Sequence, residues 1–411
     1  MRTFPETILL KIFSYLRPDE LTRVSRVNSV WRRVSLDWRL WQRVNLSYYN
    51  KKLRDLSLKK LINNIFPTKL LCLDLSGCNI STRTLRALRD NCPTLRTLNL
   101  QSVVFHESFP DSANVKYFPR NVTKLNLANS TGPSSVYRTI SESLEVDTLE
   151  CFGGGDKFLE SLDAEPSHHF MDFFLRQRWS LRILEFSYCE RLTDYALALM
   201  TFSCRRLQAL SIRRCGKLEG NFLHSLFSVS RSLRSLVLDG TGVRGELLRS
   251  MNWDKCLITE LDLSWCRHLT EGDLLAVLPT TKFLRYLRVC CCGYGHALSD
   301  KVLERMAERS WNFLEVLDLS YSCEITDDAT REFLLKCAKL RYLRLNYCRK
   351  ITPRVLENAP ELCDVYVLAS FPVAKGSVIV NALPEHLGKL DKELPQTTSF
   401  RHFGLSREMS F

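Results

Sequence analysis

Sixteen cysteines in 411 residues are the first feature of this sequence with a chemistry attached. A thiolate can be a nucleophile, a metal ligand or a redox partner, and each role needs its own spacing. Here the cysteines are dispersed along the chain and form no Cys-x-x-Cys pairs, which argues against a zinc site or a redox motif. Cys290, Cys291 and Cys292 are adjacent and too cramped to supply three ligands to one metal. His168 and His169 stand side by side without other ligands near them in sequence, so they read as solvated side chains. No P-loop, Gly-x-Ser-x-Gly, His-Glu-x-x-His or dinucleotide fingerprint occurs. The expectation is a non-catalytic chain with no metal and no cofactor.

The elements that hold the cysteines account for them. A nine-residue pattern, apolar-x-x-apolar-x-apolar-x-x-Cys/small, recurs from Leu70, Leu95, Val122, Val146, Leu181, Leu207, Leu233, Ile258, Leu284, Leu314, Leu340 and Leu362. Most starts follow one another at a near-constant period, with longer intervals before Leu181 and Leu314 and a shorter one before Leu362. The centre of each unit, such as Leu73-Asp74-Leu75, predicts a short strand with alternate side chains inward. One such strand cannot bury its leucines, and stacked units form a parallel sheet over a continuous core. The second half of each unit predicts a helix. Leu192-Thr193-Asp194, Leu269-Thr270-Glu271 and Ile325-Thr326-Asp327 each give a threonine N-cap with an acid just inside. Cys78, Cys189, Cys215, Cys266, Cys292 and Cys348 fall at the ninth position, where a small buried thiol fills the turn from strand to helix. Units of this length and phrasing resemble the cysteine-containing subclass of leucine-rich repeats, over residues 70–370.

Residues 4–46 have a different pattern. Pro5 and Glu6 open a helix with Ile8, Leu9, Ile12, Phe13 and Leu16 on one apolar side, and Arg17-Pro18 ends it. A second helix carries Leu21 and Val24, and a third, capped by Asn28, carries Val30, Trp31 and Val34. So small a module leaves apolar surface exposed, with Pro5, Leu9, Trp31, Leu40 and Trp41 expected in that surface, and such a surface predicts a partner. The segment resembles an F-box: Pro5, Glu6, Ile8 and Leu9 match the opening of the motif, Ile12 to Leu16 match its Ile-Phe-Ser-x-Leu, and Asp19, Leu21, Val27, Trp31, Leu40 and Trp41 follow in order. Asn28 stands where the family usually has cysteine, and Phe4 where it has leucine.

The expected architecture is α/β: a leucine-rich-repeat solenoid, with a curved parallel sheet inside and helices outside, preceded by a three-helix F-box. The expected divisions are 1–47 for the F-box, 48–69 for a basic linker or irregular first repeat, 70–370 for about twelve repeats and 371–411 for a terminal cap and tail. The resemblance to F-box/leucine-rich-repeat proteins implies a substrate receptor of a Skp–cullin–F-box ubiquitin ligase. The F-box would bind the S-phase-kinase-associated (Skp) adaptor and, through it, the cullin scaffold and RING subunit, promoting ubiquitination and proteasomal degradation of a protein held by the repeats. By that resemblance the adaptor contacts fall on Pro5, Ile8, Leu9, Ile12, Phe13, Leu16, Leu21, Val24, Val27, Trp31, Leu40 and Trp41, some of which must also pack the module.

Strand alternation sends the third, fifth and seventh positions of each unit to the concave face. Early units place Asp74, Asn99, Asn126, Glu150 and Glu185 at the fifth position, and later ones Arg288, Arg344 and Tyr366, interrupted by Asp262 and Asp318. Tyr286 and Tyr342 at the third position, with Arg213, Arg214, Trp265, Tyr321 and Tyr347 at the seventh and eighth, complete a candidate substrate surface. Arginine and aromatic residues are frequent interface anchors, and arginine grips carboxylate or phosphate, so an acidic or phosphorylated segment is the expected occupant.

The N-terminal stretch carries Glu6 and Lys11 and lacks a small-residue cleavage site, so it does not read as a signal peptide, and a cytoplasmic or nuclear location is expected. No stretch of about 20 apolar residues predicts a membrane span. The net charge is +13, but the basic residues are scattered in sequence and no nucleic-acid-binding motif appears, so nucleic acid is not the expected partner. The competing readings are an F-box scaffold acting outside a ligase, and a basic repeat protein that binds nucleic acid or a membrane surface.

Overall fold

A computed structural model describes residues 4–50, 53–66, 69–106, 117–162, 168–357 and 365–370. The expectation of a cap and tail over 371–411 lies outside those residues, as do the side chains of His168 and His169. The chain divides into two compact units, one running to Leu181 and the other beginning at Arg182.

The first unit opens with three short helices, α1 (Glu6–Phe13), α2 (Pro18–Val24) and α3 (Ser29–Ser35). Pro18 sits in the first turn of α2, where its missing N–H leaves no bond unmade. The Asn28 side chain accepts the Trp31 N–H at 2.8 Å and so caps α3. Parallel strands follow at Arg43–Asn45, Cys72–Asp74, Thr97–Asn99, Lys124–Asn126 and Cys151–Gly154, each paired with the next. In the second unit, parallel strands run from Ile183–Phe186 through Ala209–Ser211, Ser235–Val237, Glu260–Asp262, Tyr286–Arg288, Val316–Asp318 and Tyr342–Leu345 to Tyr366–Ala369. With helices between the strands, both units have the α/β leucine-rich-repeat architecture.

The fourth position of each unit lies in register with the fourth of the next, as with Leu236, Leu261 and Leu287, and all three are fully buried. Burying a leucine contributes about 2 kcal/mol, and no single strand reaches that alone. The helices are tied repeat to repeat by a contact that propensity does not reveal. The acid at the start of one helix accepts from the residue that opens the next. Asp55 takes the N–H and hydroxyl of Ser81 at 2.8 and 2.7 Å. Asp300 takes both groups of Thr326, and Asp327 both groups of Thr352.

Three registers differ from the expected ones. Cys151 pairs with Lys124, which makes Leu149 the first position of its unit and puts Gly153, not Glu150, on the fifth-position row. Tyr366 pairs with Tyr342, so it joins the third-position row and Leu368 takes the place beside Arg344. The strand Arg43–Asn45 already belongs to the repeat sheet, which begins inside the span expected for the F-box.

Candidate functional site

Two surfaces hold the candidate residues. On the N-terminal module, α1 divides its apolar side chains between interior and solvent. Leu9 and Phe13 turn inward and are each 2% exposed, whereas Ile8 and Ile12 are each 46% exposed. Pro5 and Val27 are exposed with them, and Leu16, Val24, Trp31 and Leu40 are half-buried. Phe4 and Tyr15 extend the apolar strip at either end of the helix. Leu21 is core, and the edge of Trp31 meets Phe13 with ring centroids 5.4 Å apart. Trp41 is buried, donates its indole N–H to the Ser35 carbonyl at 2.7 Å, and packs near Phe66 at the start of the first repeat. The expected exposure of Leu9 and Trp41 is therefore corrected. The helix period sets Leu9 and Phe13 one turn apart on the face that meets α3, where Phe13 reaches Trp31, and Trp41 is held inward by its bond to Ser35 and its packing near Phe66.

On the second unit, the fifth-position row reads Asp262, Arg288, Asp318, Arg344 across adjacent strands. Each arginine lies against the aspartate of the preceding strand, Arg288 4.0 Å from Asp262 and Arg344 3.8 Å from Asp318. The residues expected as an arginine patch broken by two acids are thus a band of alternating charge. Arg214 lies 3.5 Å from Asp239, whose carboxyl is pushed up by burial and by Asp262 against the pull of Arg214, Arg213 and Arg288. Arg213 also faces Glu185, whose carboxyl burial raises to about 7 despite that arginine.

Beside this band runs a second row. Tyr188, Arg214, Gly240, Trp265, Cys291, Tyr321 and Tyr347 all occupy the eighth position of their units and all have left-handed backbone, with φ between 52° and 68°. The conformation turns each N–H toward the next repeat: Arg214 donates to the Asp239 carbonyl at 2.7 Å, Trp265 to Cys290 at 2.7 Å and Tyr321 to Asn346 at 2.8 Å. The ladder bond offsets the cost of placing a large side chain in that region. The side chains form a line. The Arg214 guanidinium lies 5.2 Å from the Trp265 ring, Trp265 is 5.4 Å from Tyr321, and Tyr321 stacks on Tyr347 at 4.7 Å with planes 24° apart. Gly240 makes room for it, because a Cβ there would come within 2.5 Å of Arg214 Cδ. Tyr342 and Tyr366 pair at 6.0 Å on the third-position row, and Arg285 lies 5.9 Å from the Tyr286 ring. The surface is equipped to bind through rings and paired charges. Among the described residues no three metal-ligating side chains gather, and no helix is long and apolar enough to cross a membrane.

Comparison with known proteins finds matches to both modules. Residues 1–47 match the F-box-like family model and residues 66–88 a leucine-rich-repeat model. F-box/LRR-repeat protein 12 of Homo sapiens is 26% identical over 313 residues, spanning 73% of this chain and 91% of that one. The chain is similar to F-box/leucine-rich-repeat proteins. The Mus musculus counterpart is 25% identical over 319 residues, and DNA repair protein rhp7 of Schizosaccharomyces pombe is 26% identical over half of this chain and 36% of its own. A chain from the yeast Rad7–Elc1 crystal structure aligns over 92% of this chain and 91% of its own, at 17% identity and a TM-score of 0.49.

The cysteines at the ninth position are part of the repeat scaffold. The ninth-position thiol donates to the sixth-position carbonyl of the preceding repeat: Cys266 to Leu238 at 3.2 Å, Cys292 to Leu263 at 3.1 Å and Cys348 to Leu319 at 3.2 Å. Burial pushes the Cys266 thiol up to about 12 and the Cys348 thiol to about 11, so the reactive thiolate is suppressed. The left-handed row was the feature that sequence reasoning missed. Its signal was Gly77, Asn129 and Gly240 at the same eighth position in sister repeats.

Proposed function

We propose that this protein is the substrate-recognition subunit of a Skp–cullin–F-box ubiquitin ligase. At the level of the family, an F-box joined to leucine-rich repeats is the plan of a ubiquitin-ligase substrate receptor. The observation that carries the reading is the strip of Pro5, Ile8 and Ile12 on α1, exposed while Leu9 and Phe13 of the same helix are core. A module this small that leaves two isoleucines half in water has an apolar face to offer a Skp-type adaptor. The adaptor would carry the cullin scaffold and RING subunit, and the chain itself would act by proximity, holding a substrate lysine near a charged thioester. In this reading Leu16, Val24, Val27, Trp31 and Leu40 border the adaptor, and Leu9, Phe13, Leu21 and Trp41 support the face from behind.

The repeats would hold the substrate on the row of Arg214, Trp265, Tyr321 and Tyr347, with Arg213, Tyr286, Arg288, Tyr342 and Arg344 beside it. Because Arg288 and Arg344 each lie near an aspartate, the aromatic line supports substrate docking better than a phosphate-binding arginine patch does. The test is co-purification of the adaptor and cullin with the full chain carrying Ile8→Glu and Ile12→Glu. The reading expects both partners to be lost while the repeats stay folded. Partners retained at the wild-type level would overturn it.

A further inference from the structure

The charge of +13 has a location. In the second unit, the residues that enter each strand form a ladder along one edge of the sheet: Gln208 N–H bonds Arg182 C=O, Arg234 bonds Gln208, Thr259 bonds Arg234, Arg285 bonds Thr259, Glu315 bonds Arg285 and Arg341 bonds Glu315, all at 2.7 to 2.9 Å. Arginine therefore recurs on every second strand, about 10 Å apart. The turns leading into these strands add more cations. Residue 182 and the segments 203–208, 229–234, 252–259, 279–285, 308–315 and 335–341 together hold twelve Lys and Arg against three Asp and Glu. From one strand to the next these cations are a whole repeat apart along the chain, which is why they look scattered in sequence, and the repeat period brings them into one row.

Part of the row is neutralised. Lys282 pairs with Asp254 at 3.2 Å, and Arg285 with Glu315 at 2.6 Å. Arg182, Arg205, Arg206, Arg231 and Arg234, all exposed and spread over three adjoining strands, have no carboxylate partner among the described residues. Farther along the same edge, Phe283 and Phe313 are 39% and 46% exposed with rings 6.4 Å apart, and Lys339 lies 5.6 Å from the Phe313 ring. A line of unpaired arginines continuing into exposed rings has the chemistry for a phosphate backbone and unstacked bases.

We infer that this edge binds single-stranded nucleic acid, with the five arginines on successive phosphates and Phe283 and Phe313 stacking bases. The row is long and narrow, which matches a linear polyanion better than the plane of an anionic bilayer. Arginine outnumbers lysine in it, as suits bidentate phosphate contacts. This surface is separate from the Arg214–Trp265–Tyr321–Tyr347 line and adds to the receptor reading.

The experiment is fluorescence anisotropy of the full chain with labelled dT20 and rU20 oligonucleotides, titrated from about 50 to about 200 mM salt. Five phosphate contacts predict affinity about a hundredfold weaker at the higher salt. Arg205→Gln with Arg206→Gln and Arg231→Gln should lower the log–log salt slope by about 2. Phe283→Ala should weaken binding about tenfold. The control Arg191→Gln, Lys217→Gln, Arg267→Gln removes the same charge from the opposite edge and should leave most of the affinity. An equal loss in both triple variants overturns the assignment, as does salt-independent binding. Binding to vesicles of phosphatidylcholine with a minor share of phosphatidylserine, without oligonucleotide binding, also overturns it, in favour of a membrane surface. Displacement of the oligonucleotide by polyglutamate at equal charge concentration overturns it in favour of an acidic protein.

Discussion

Asp300 accepts both the backbone N–H and the hydroxyl of Thr326, at 2.7 and 2.8 Å, although the two residues begin the helices of successive repeats. One carboxylate therefore caps two helices, favouring the dipole of its own and completing the N-cap of its neighbour. Asp300→Ala leaves the Thr326 N–H without a partner in a half-buried turn. The expected cost is about 2 kcal/mol, seen as a fall in Tm of several degrees in a circular-dichroism melt. Asp300→Asn keeps one acceptor and should recover about half of the loss. Equal melting of Asp300→Ala and wild type would show that the staple contributes nothing.

Glu185 gives the second unit a pH dependence. Burial raises its carboxyl to about 7 from an ordinary 4.5, with Arg213 and Ser187 opposing the shift. A carboxyl whose folded pKa lies above its unfolded one holds its proton more tightly when folded. Stability is then highest below the unfolded value, falls as pH rises from about 4.5 to about 7, and is flat above. The full loss is about 3 kcal/mol. Glu185→Gln should remove the slope across that interval and raise stability at pH 8, measured by urea melts at pH 5, 6, 7 and 8. A variant as pH-sensitive as wild type would place the titration on another group.

How far the sequence reached depends on how regular each unit is. The Leu73, Cys78 and Thr326 positions were legible because spacing alone fixes strand, turn and cap. The unit near Val146 was not, because Val146 with Leu149 and Leu149 with Phe152 offer the same three-residue apolar step, and Gly153 to Gly155 hide the sixth-position leucine that would choose between them. The last strand failed in the same way, with Val365 and Val367 mimicking the frame two residues early. Leu9 and Trp41 belong to the motif by identity, and only packing separates motif residues that face a partner from those that face the core. The partnering of Arg288 and Arg344 with aspartates depends on neighbouring strands, so a reading of one unit at a time sees the row but not its charge balance.

The thiol ladder predicts a sharp division in reactivity. Cys266, Cys292 and Cys348 are buried and donate to carbonyls of the preceding repeat, whereas Cys291 and Cys323 are half-buried. Maleimide labelling of the native chain at pH 8, read by mass spectrometry, should modify the second group within minutes and the first only in denaturant. Rapid native labelling of Cys266 would mean that the strand-to-helix turns open locally far more than their burial implies.

Trp265 is the centre of the proposed substrate line, since it touches the Arg214 guanidinium on one side and Tyr321 on the other. It is half-buried and its backbone is held by the ladder bond to Cys290, so truncation should disturb binding more than folding. Trp265→Ala is expected to weaken substrate capture by more than about tenfold, with Tm within about 2 °C of wild type and adaptor co-purification unchanged. Arg288→Gln should do less to capture, because the guanidinium it removes is already balanced by Asp262. The comparison is made by quantitative mass spectrometry of proteins retained by each variant in cells with cullin activity blocked. If Arg288→Gln loses the retained proteins and Trp265→Ala keeps them, charge governs the face and the aromatic line is only its border.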